Sequence, residues 1–438
     1  MSRTIFPNLF FVLALLLVLF LPSRPMAQGG SLDTSFNVTG IQVLNPGGSG
    51  AQQNDGVIQS DGKAVSLVDD SISGATLIRV NVDGSLDSAF GVGGIVRTNW
   101  HTESSLALPR GFPYGLAIQV IGGEERLVVA GIWYIPQGKR SSAQMLRVDR
   151  YLSNGRPDPD FGTNGSVVVN KPHARAVALQ PDNKIVTVGG QGDVVRFNVD
   201  GSIDNAFGGR GDGTTGSGIE GWKILVESTG RILIAGSCSA NSGTMMCVSA
   251  LTPDGSVDAD FGNGGRTVAD FYGRGSFGRA FDIALDSFGN ILVVGSARPK
   301  GASLVQNVYA GARFTPEGDL DPSFNFSGKV TYSFFGLNNT GRAVTAQSDG
   351  KVVLGGSTNV ATSVTDFGLI RFNFDGSVDT GFGSGGRVVT DGGGTSEYSW
   401  KIKTWRDPAC GLCDKIVLFG GGSAGAVFIR YYTADPNQ

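Results

Sequence analysis

Fourteen residues, NVDGSLDSAFGVGG at Asn81–Gly94, return in seven degenerate copies, and this repetition constrains the fold more than any other feature of the chain. Aligned on the aspartate that follows the small apolar residue, the copies place Asp33, Asp87, Asp158, Asp204, Asp258, Asp321 and Asp379 at steps of 54, 71, 46, 54, 63 and 58 residues. Units of this size cannot bury a core alone, so a tandem array must pack each unit on its neighbours.

Within each copy the same order of short segments recurs. A run with β-branched residues follows the GSLD-like start, as in Gly165–Asn170 (GSVVVN), and is predicted as strand A. Strand B (Arg175–Gln180, Arg342–Gln347) ends in a polar turn such as QSDGK or QPDNK, whose Asp-Gly and Asn residues accept positive φ cheaply. Strand C (KIVTVGG, RILIAGS, NILVVGS) ends in glycine, which marks close backbone approach in a crowded region. Strand D carries an arginine between apolar residues: Arg79, Arg147, Arg196, Arg313, Arg371 and Arg430, with none in the fourth copy near Val248. Seven sets of four short antiparallel strands predict an all-β, seven-bladed β-propeller of four-stranded blades. Closure should bring Ser31–Leu44 beside the last strand, Val427–Thr433. Each repeated aspartate is expected to cap turn amides and to meet the strand-D arginine, and Phe36, Phe90, Phe161, Phe207, Phe261, Phe324 and Phe382 to plug the gaps between sheets.

The GSLDxxFGxxG start, the QxDGK turn and the step just under 60 residues resemble the delta-60 repeat family of bacterial β-propellers. The resemblance spans nearly all of the chain after residue 27. It implies an exported protein of unassigned function.

The N-terminus agrees with export. Arg3 precedes an apolar run, Leu9–Leu21, followed by Pro22 and a small residue at Ala27, which predicts a signal peptide over 1–27 and a periplasmic or extracellular propeller over 28–438. The run is short for a bilayer span. A net charge of −3 supplies no positive field, so nucleic acid is excluded as an expected partner, and a monomer is expected.

No catalytic, cofactor or metal site is expected from the motifs. DGSLD lacks the alternate oxygens and distal glutamate of a calcium loop, and the only histidines, His101 and His173, fall in different copies. Cys238 and Cys247 flank a short C–D loop and are expected to form a cross-strand disulfide; Cys410 and Cys413 are expected to form a local one in the last B–C turn. Strand alternation puts the near-identical D–A and B–C connections on one face and the variable A–B and C–D loops on the other. Trp100, His101, Phe271, Tyr272, Phe277, Phe334, Phe335 and Trp400 are candidate binding residues on that variable face for a protein or glycan. A non-catalytic binding module is thus expected. The competing expectation is a propeller hydrolase, lyase or sugar dehydrogenase with acids or histidines converging on the central channel.

Overall fold

The computed structural model describes residues 28–46, 52–70, 73–100, 110–137, 142–240, 243–302, 306–336, 338–361, 363–408 and 413–433; the predicted leader lies outside them. Seven four-stranded antiparallel sheets form the propeller. Blade 1 runs outward from strand B (Gln52–Ile58) through C (Ala64–Asp69) and D (Thr76–Val80) to Ile95–Arg97, which is strand A of the next sequence copy. Each sequence repeat therefore straddles two blades, and hydrogen bonding as well as packing links each blade to the next.

The seven B strands are innermost. They touch one another in turn from Gln52–Ile58 round to Glu397–Arg406, which returns to the first. Blade 7 is completed by the N-terminal strand Ile41–Leu44, with Ile41 opposite Ile429 and Leu44 opposite Ala426. This is the expected closure, and it removes the exposed edge that an open array would leave. Between blades the core is apolar: Val65, Leu67 and Phe90 of the first unit meet Leu116, Leu127 and Val129 of the second.

The repeated aspartate, arginine and phenylalanine form one box per blade. Arg79 pairs with Asp87 (2.8 Å), Arg196 with Asp204 (2.7 Å), Arg313 with Asp321 (2.6 Å), Arg371 with Asp379 (2.8 Å) and Arg430 with Asp33 (2.7 Å). Each guanidinium also lies over the buried phenylalanine of its own box, for example Arg79 over Phe90 at 4.4 Å and Arg371 over Phe382 at 4.3 Å. The remaining donors reach a carbonyl in the next unit: Arg79 that of Ser153, Arg313 that of Phe374, and Arg430 that of Val82. The last contact ties the final blade to the first.

One box differs from expectation, and the fourth lacks its strand-D arginine as expected. Arg147 is not the strand-D arginine of its copy: Arg150 pairs with Asp158 at 2.8 Å, while Arg147 binds Asp149 and stacks on Trp100 and Trp133. The constant spacing decides it, because Arg79, Arg150, Arg196, Arg313 and Arg371 each stand eight residues before their aspartate. In the fourth copy that position is Ala250, and Arg231 from the B–C turn reaches Asp258 at 3.7 Å instead.

Cys238 and Cys247 are joined across strands C and D of blade 4, as expected, with Cα atoms 5.9 Å apart. Cys413 is also disulfide-bonded; Cys410 lies outside the described residues. No helix among the described residues is long and apolar enough to cross a membrane.

Candidate ligand-binding mouth of the central channel

Six of the seven inner strands carry a β-bulge near their start, where the register with strand C slips by one residue: between Gln53 and Asp55, Pro113 and Gly115, Gly221 and Lys223, Ala280 and Asp282, Gly341 and Ala343, and Ser399 and Lys401. A bulge leaves one residue out of the ladder and re-aims its side chain. The residues so released are Asn54, Tyr114, Trp222, Phe281, Arg342 and Trp400. In blade 3 the equivalent is Arg175, five residues before Gln180 just as Asn54 is five before Gln59. All seven line a single cavity of about 450 Å³, together with Asp69, Lys223 and Asp282. Since they stand at the starts of the B strands, the cavity opens on the face of the variable A–B loops. Its volume is within the roughly 300–1,000 Å³ range of small-molecule sites.

The strand-C glycines permit this geometry. A Cβ on Gly131, Gly236, Gly295 or Gly356 would run into the carbonyl oxygen of Phe112, Glu220, Arg279 or Thr340 respectively, each just ahead of the bulge in the adjoining B strand. The glycines therefore mark where the two strands crowd together.

The ring is dominated by guanidinium and aromatic groups. Arg175 lies 4.1 Å and Arg279 5.0 Å from the Trp222 ring centre, and both pair with Glu220, at 3.2 and 3.1 Å. Trp222 meets Phe281 edge to face at 5.2 Å. Arg342 lies over Phe281 at 5.0 Å and over Trp400 at 4.2 Å.

Below the ring the channel is crossed by a charged belt. Lys223 of blade 4 pairs with Asp55 of blade 1 at 2.7 Å, and Lys401 of blade 7 with Asp282 of blade 5 at 2.5 Å. Asp55 also accepts the Leu116 amide and Asp282 the Val344 amide. Burial opposes ionisation of Asp55, but Lys223 and Lys401 outweigh it and hold its pKa below the usual range. Burial pushes Lys401 down to about 8, against the attraction of Asp282 and with the help of Lys223. A second cavity, on the turn side, is lined by Asp55, Lys223, Lys401, Lys403 and Thr404 among others, so the belt separates two vestibules.

Asp69, on the wall of the mouth, is raised to about 7 by burial and by neighbouring Asp70. A carboxyl whose folded pKa is raised binds its proton more tightly when folded. Its contribution is therefore fully present below its unfolded pKa and is lost as pH rises through about 7. Asp69→Asn should therefore be more stable than wild type by roughly 4 kcal/mol at pH 8 and close to it at pH 4, because the gap opens by about 1.4 kcal/mol per pH unit between the unfolded pKa and the folded one. Urea denaturation of both proteins at the two pH values checks this, and a difference that does not change with pH would contradict it. Glu397, near the same face, is likewise pushed up to about 7, chiefly by burial and despite the Gly392 and Gly394 amides.

The residues expected from sequence to bind a partner divide among several environments. Trp400 joins the ring. Trp100 is wholly buried and donates to Asp149 at 2.7 Å, and Phe334 is buried between Tyr309 and Tyr332; neither offers surface to a partner, because each is an internal plug of its blade. Phe271 packs on the core joining blades 4 and 5, and Phe277 is half-buried under Arg298. Tyr272 and Phe335 are exposed on the loops, and His101 lies outside the described residues. Asn54, Tyr114, Arg175, Trp222, Phe281 and Arg342 were missed. The signal that could have found them is positional: Asn54, Arg175, Trp222, Phe281 and Arg342 stand five residues before the first residue of the B–C turn (Gln59, Gln180, Glu227, Asp286 and Gln347), and Tyr114 stands five before Gln119 in a longer strand.

Two stretches, residues 180–207 and 347–382, match the family described as "Domain of unknown function (DUF5122) beta-propeller". No curated protein matches the chain. Among solved structures, a catalytically inactive virginiamycin B lyase from Staphylococcus aureus with quinupristin is similar at 11% identity and a TM-score of 0.50, over 90% of this chain and 98% of that one. An ancestral GH74 enzyme (14% identity, TM-score 0.48, 89% of this chain and 49% of that one) and YCF48 bound to D1 peptide (11%, 0.45, 90% and 94%) also match. At such identities the likeness is one of fold alone: the chain is a β-propeller, and its neighbours do unrelated things with theirs.

Proposed function

We propose that the protein is an exported, monomeric, non-catalytic binding module of the delta-60 repeat type, and that its ligand is a carbohydrate received in the axial mouth. One observation carries this: six blades contribute the side chain at their bulge and blade 3 the side chain at the equivalent position to one cavity, so seven diverse residues converge where the rest of the repeat is nearly uniform. Aromatic rings beside hydrogen-bonding groups suit a sugar, which has apolar faces and a polar rim. A protein partner would need roughly 800 Å² of its surface covered, far more than the mouth offers. The competing enzyme would require free acids or histidines on the axis. The axial carboxylates Asp55 and Asp282 are each tied to a lysine and a backbone amide, which leaves Asp69 as the other carboxyl among the described residues of the cavity wall, one acid with no second beside it in that lining. Export and the delta-60 assignment are supported by the leader pattern, the repeats and a disulfide in blade 4.

A screen of the purified protein against immobilised oligosaccharides tests the proposal. Binding should fall at least about tenfold in Trp400→Ala and Phe281→Ala, the loss typical of one well-packed aromatic contact. It should be unchanged in Phe288→Ser, which alters an exposed turn remote from the mouth. Absence of saccharide binding, or binding indifferent to the mouth variants, would overturn it.

A further inference from the structure

Of the cations lining the mouth, Arg175 shares Glu220 with Arg279 and Lys223 has Asp55. Arg342 differs: among the described residues its guanidinium makes no ion pair and no hydrogen bond, and its neighbours are the rings of Phe281 and Trp400. Its Nε is buried without an acceptor, and so is the indole Nε1 of Trp222 on the other side of Phe281. A guanidinium cannot shed its proton to escape such a site, and a half-buried charge without a counter-ion is costly, though less so than a fully buried one. Burial does pull the Arg342 pKa down, to about 10. In the sector from blade 4 to blade 6 the carboxylates Glu220 and Asp282 are already taken by Arg175, Arg279 and Lys401, which leaves two donors without acceptors and an aromatic ring between them.

We infer that the mouth selects an acidic saccharide, whose carboxylate completes the site by lying against Arg342 while its ring packs near Phe281 and Trp400. This rests on the carbohydrate reading above and adds the charge of the ligand to it. The anion supplies the counter-charge the protein withholds. The fixed planar fork of arginine suits a carboxylate better than a lysine would. A flanking pair of aromatic rings lowers the local dielectric, so the ion pair is stronger there than on an open surface. The remaining wall, Asn54, Asp69 and Tyr114, offers acceptors and a hydroxyl on the opposite side of the axis, where the ring hydroxyls of a sugar would point. A peptide carboxy terminus is the less suitable occupant, since such groups are captured by successive backbone amides and the donors here are side chains.

The test is calorimetric titration of the full protein with trigalacturonic acid, with its trimethyl ester, and with neutral maltotriose. The acid should bind at least about 30-fold more tightly than the ester, which keeps every hydroxyl and loses only the charge. In Arg342→Gln that preference should vanish, and raising salt from 50 to 500 mM should weaken acid binding in wild type more than ester binding. Should Arg342→Gln fail to fold, Arg342→Lys, which keeps the charge without the fork, should retain part of the preference. Equal binding of acid and ester by wild type would overturn the inference while leaving the carbohydrate function standing, as would binding of maltotriose alone. No binding of any of the three sugars, in a protein that also captures none in the oligosaccharide screen, would remove both.

Discussion

Arg313→Ala is expected to destabilise the protein by about 3–5 kcal/mol, the cost of stranding one member of a buried ion pair. Arg313 is fully enclosed, binds Asp321 at 2.6 Å, donates to Ser323 and to the Phe374 carbonyl, and lies between the rings of Phe324 and Phe374. Removing it leaves the Asp321 carboxylate with its Ser323 contacts but no counter-charge, and frees the carbonyl that ties this unit to the next. Blade 4 supplies an internal comparison. There Ala250 stands at the arginine position, and Arg231 approaches Asp258 only at 3.7 Å with both side chains about one-fifth exposed. Arg231→Ala should cost less, roughly 1–2 kcal/mol, because solvent screens the pair and Glu227 is its nearer partner. Urea denaturation of the two variants measures both values. If the two cost the same, or if Arg313→Ala lies within about 1 kcal/mol of wild type, the boxes are not what holds the blades in register.

The architecture was legible in the sequence because it is repeated. Turn residues, β-branched runs and the Asp/Phe pair each recur seven times, and the recurrence removes the ambiguity that any single short apolar run would carry. The seven-fold count, the four strands per blade and the closure by residues 41–44 follow from local chemistry that every copy shares. The candidate ring was hidden for the opposite reason. Asn54, Tyr114, Arg175, Trp222, Phe281, Arg342 and Trp400 share a position but no chemistry, and a bulge has no residue signature of its own. The strand-C glycines carried half of the information: they announced crowding, though not that the crowding partner was a bulged strand. Trp100 was expected on the variable face, whereas its side chain is buried and turns inward to Asp149 and Arg147. Arg147 misled similarly: apolar flanks match strand D, but the fixed eight-residue distance to the aspartate selects Arg150.

The charged belt is the second place where a single substitution should be severe, and there a paired substitution should repair the damage. Lys401→Met removes a buried ammonium that faces Asp282 at 2.5 Å and leaves that carboxylate, itself buried, without its counter-charge; the expected loss is about 3–5 kcal/mol. Adding Asp282→Asn restores neutrality and keeps an oxygen to accept the Val344 amide, while Lys223 loses the attraction of Asp282 just as it lost the repulsion of Lys401. The double variant should therefore return to within about 1 kcal/mol of wild type, since a buried pair that costs desolvation on both sides contributes little net stability. The Asp55–Lys223 pair remains to bridge blades 1 and 4 in every variant. A double-mutant cycle by chemical denaturation gives the coupling directly. Additive losses in the double variant would mean that the two charges are not coupled, and that Lys401 and Asp282 each act through contacts other than the ion pair between them.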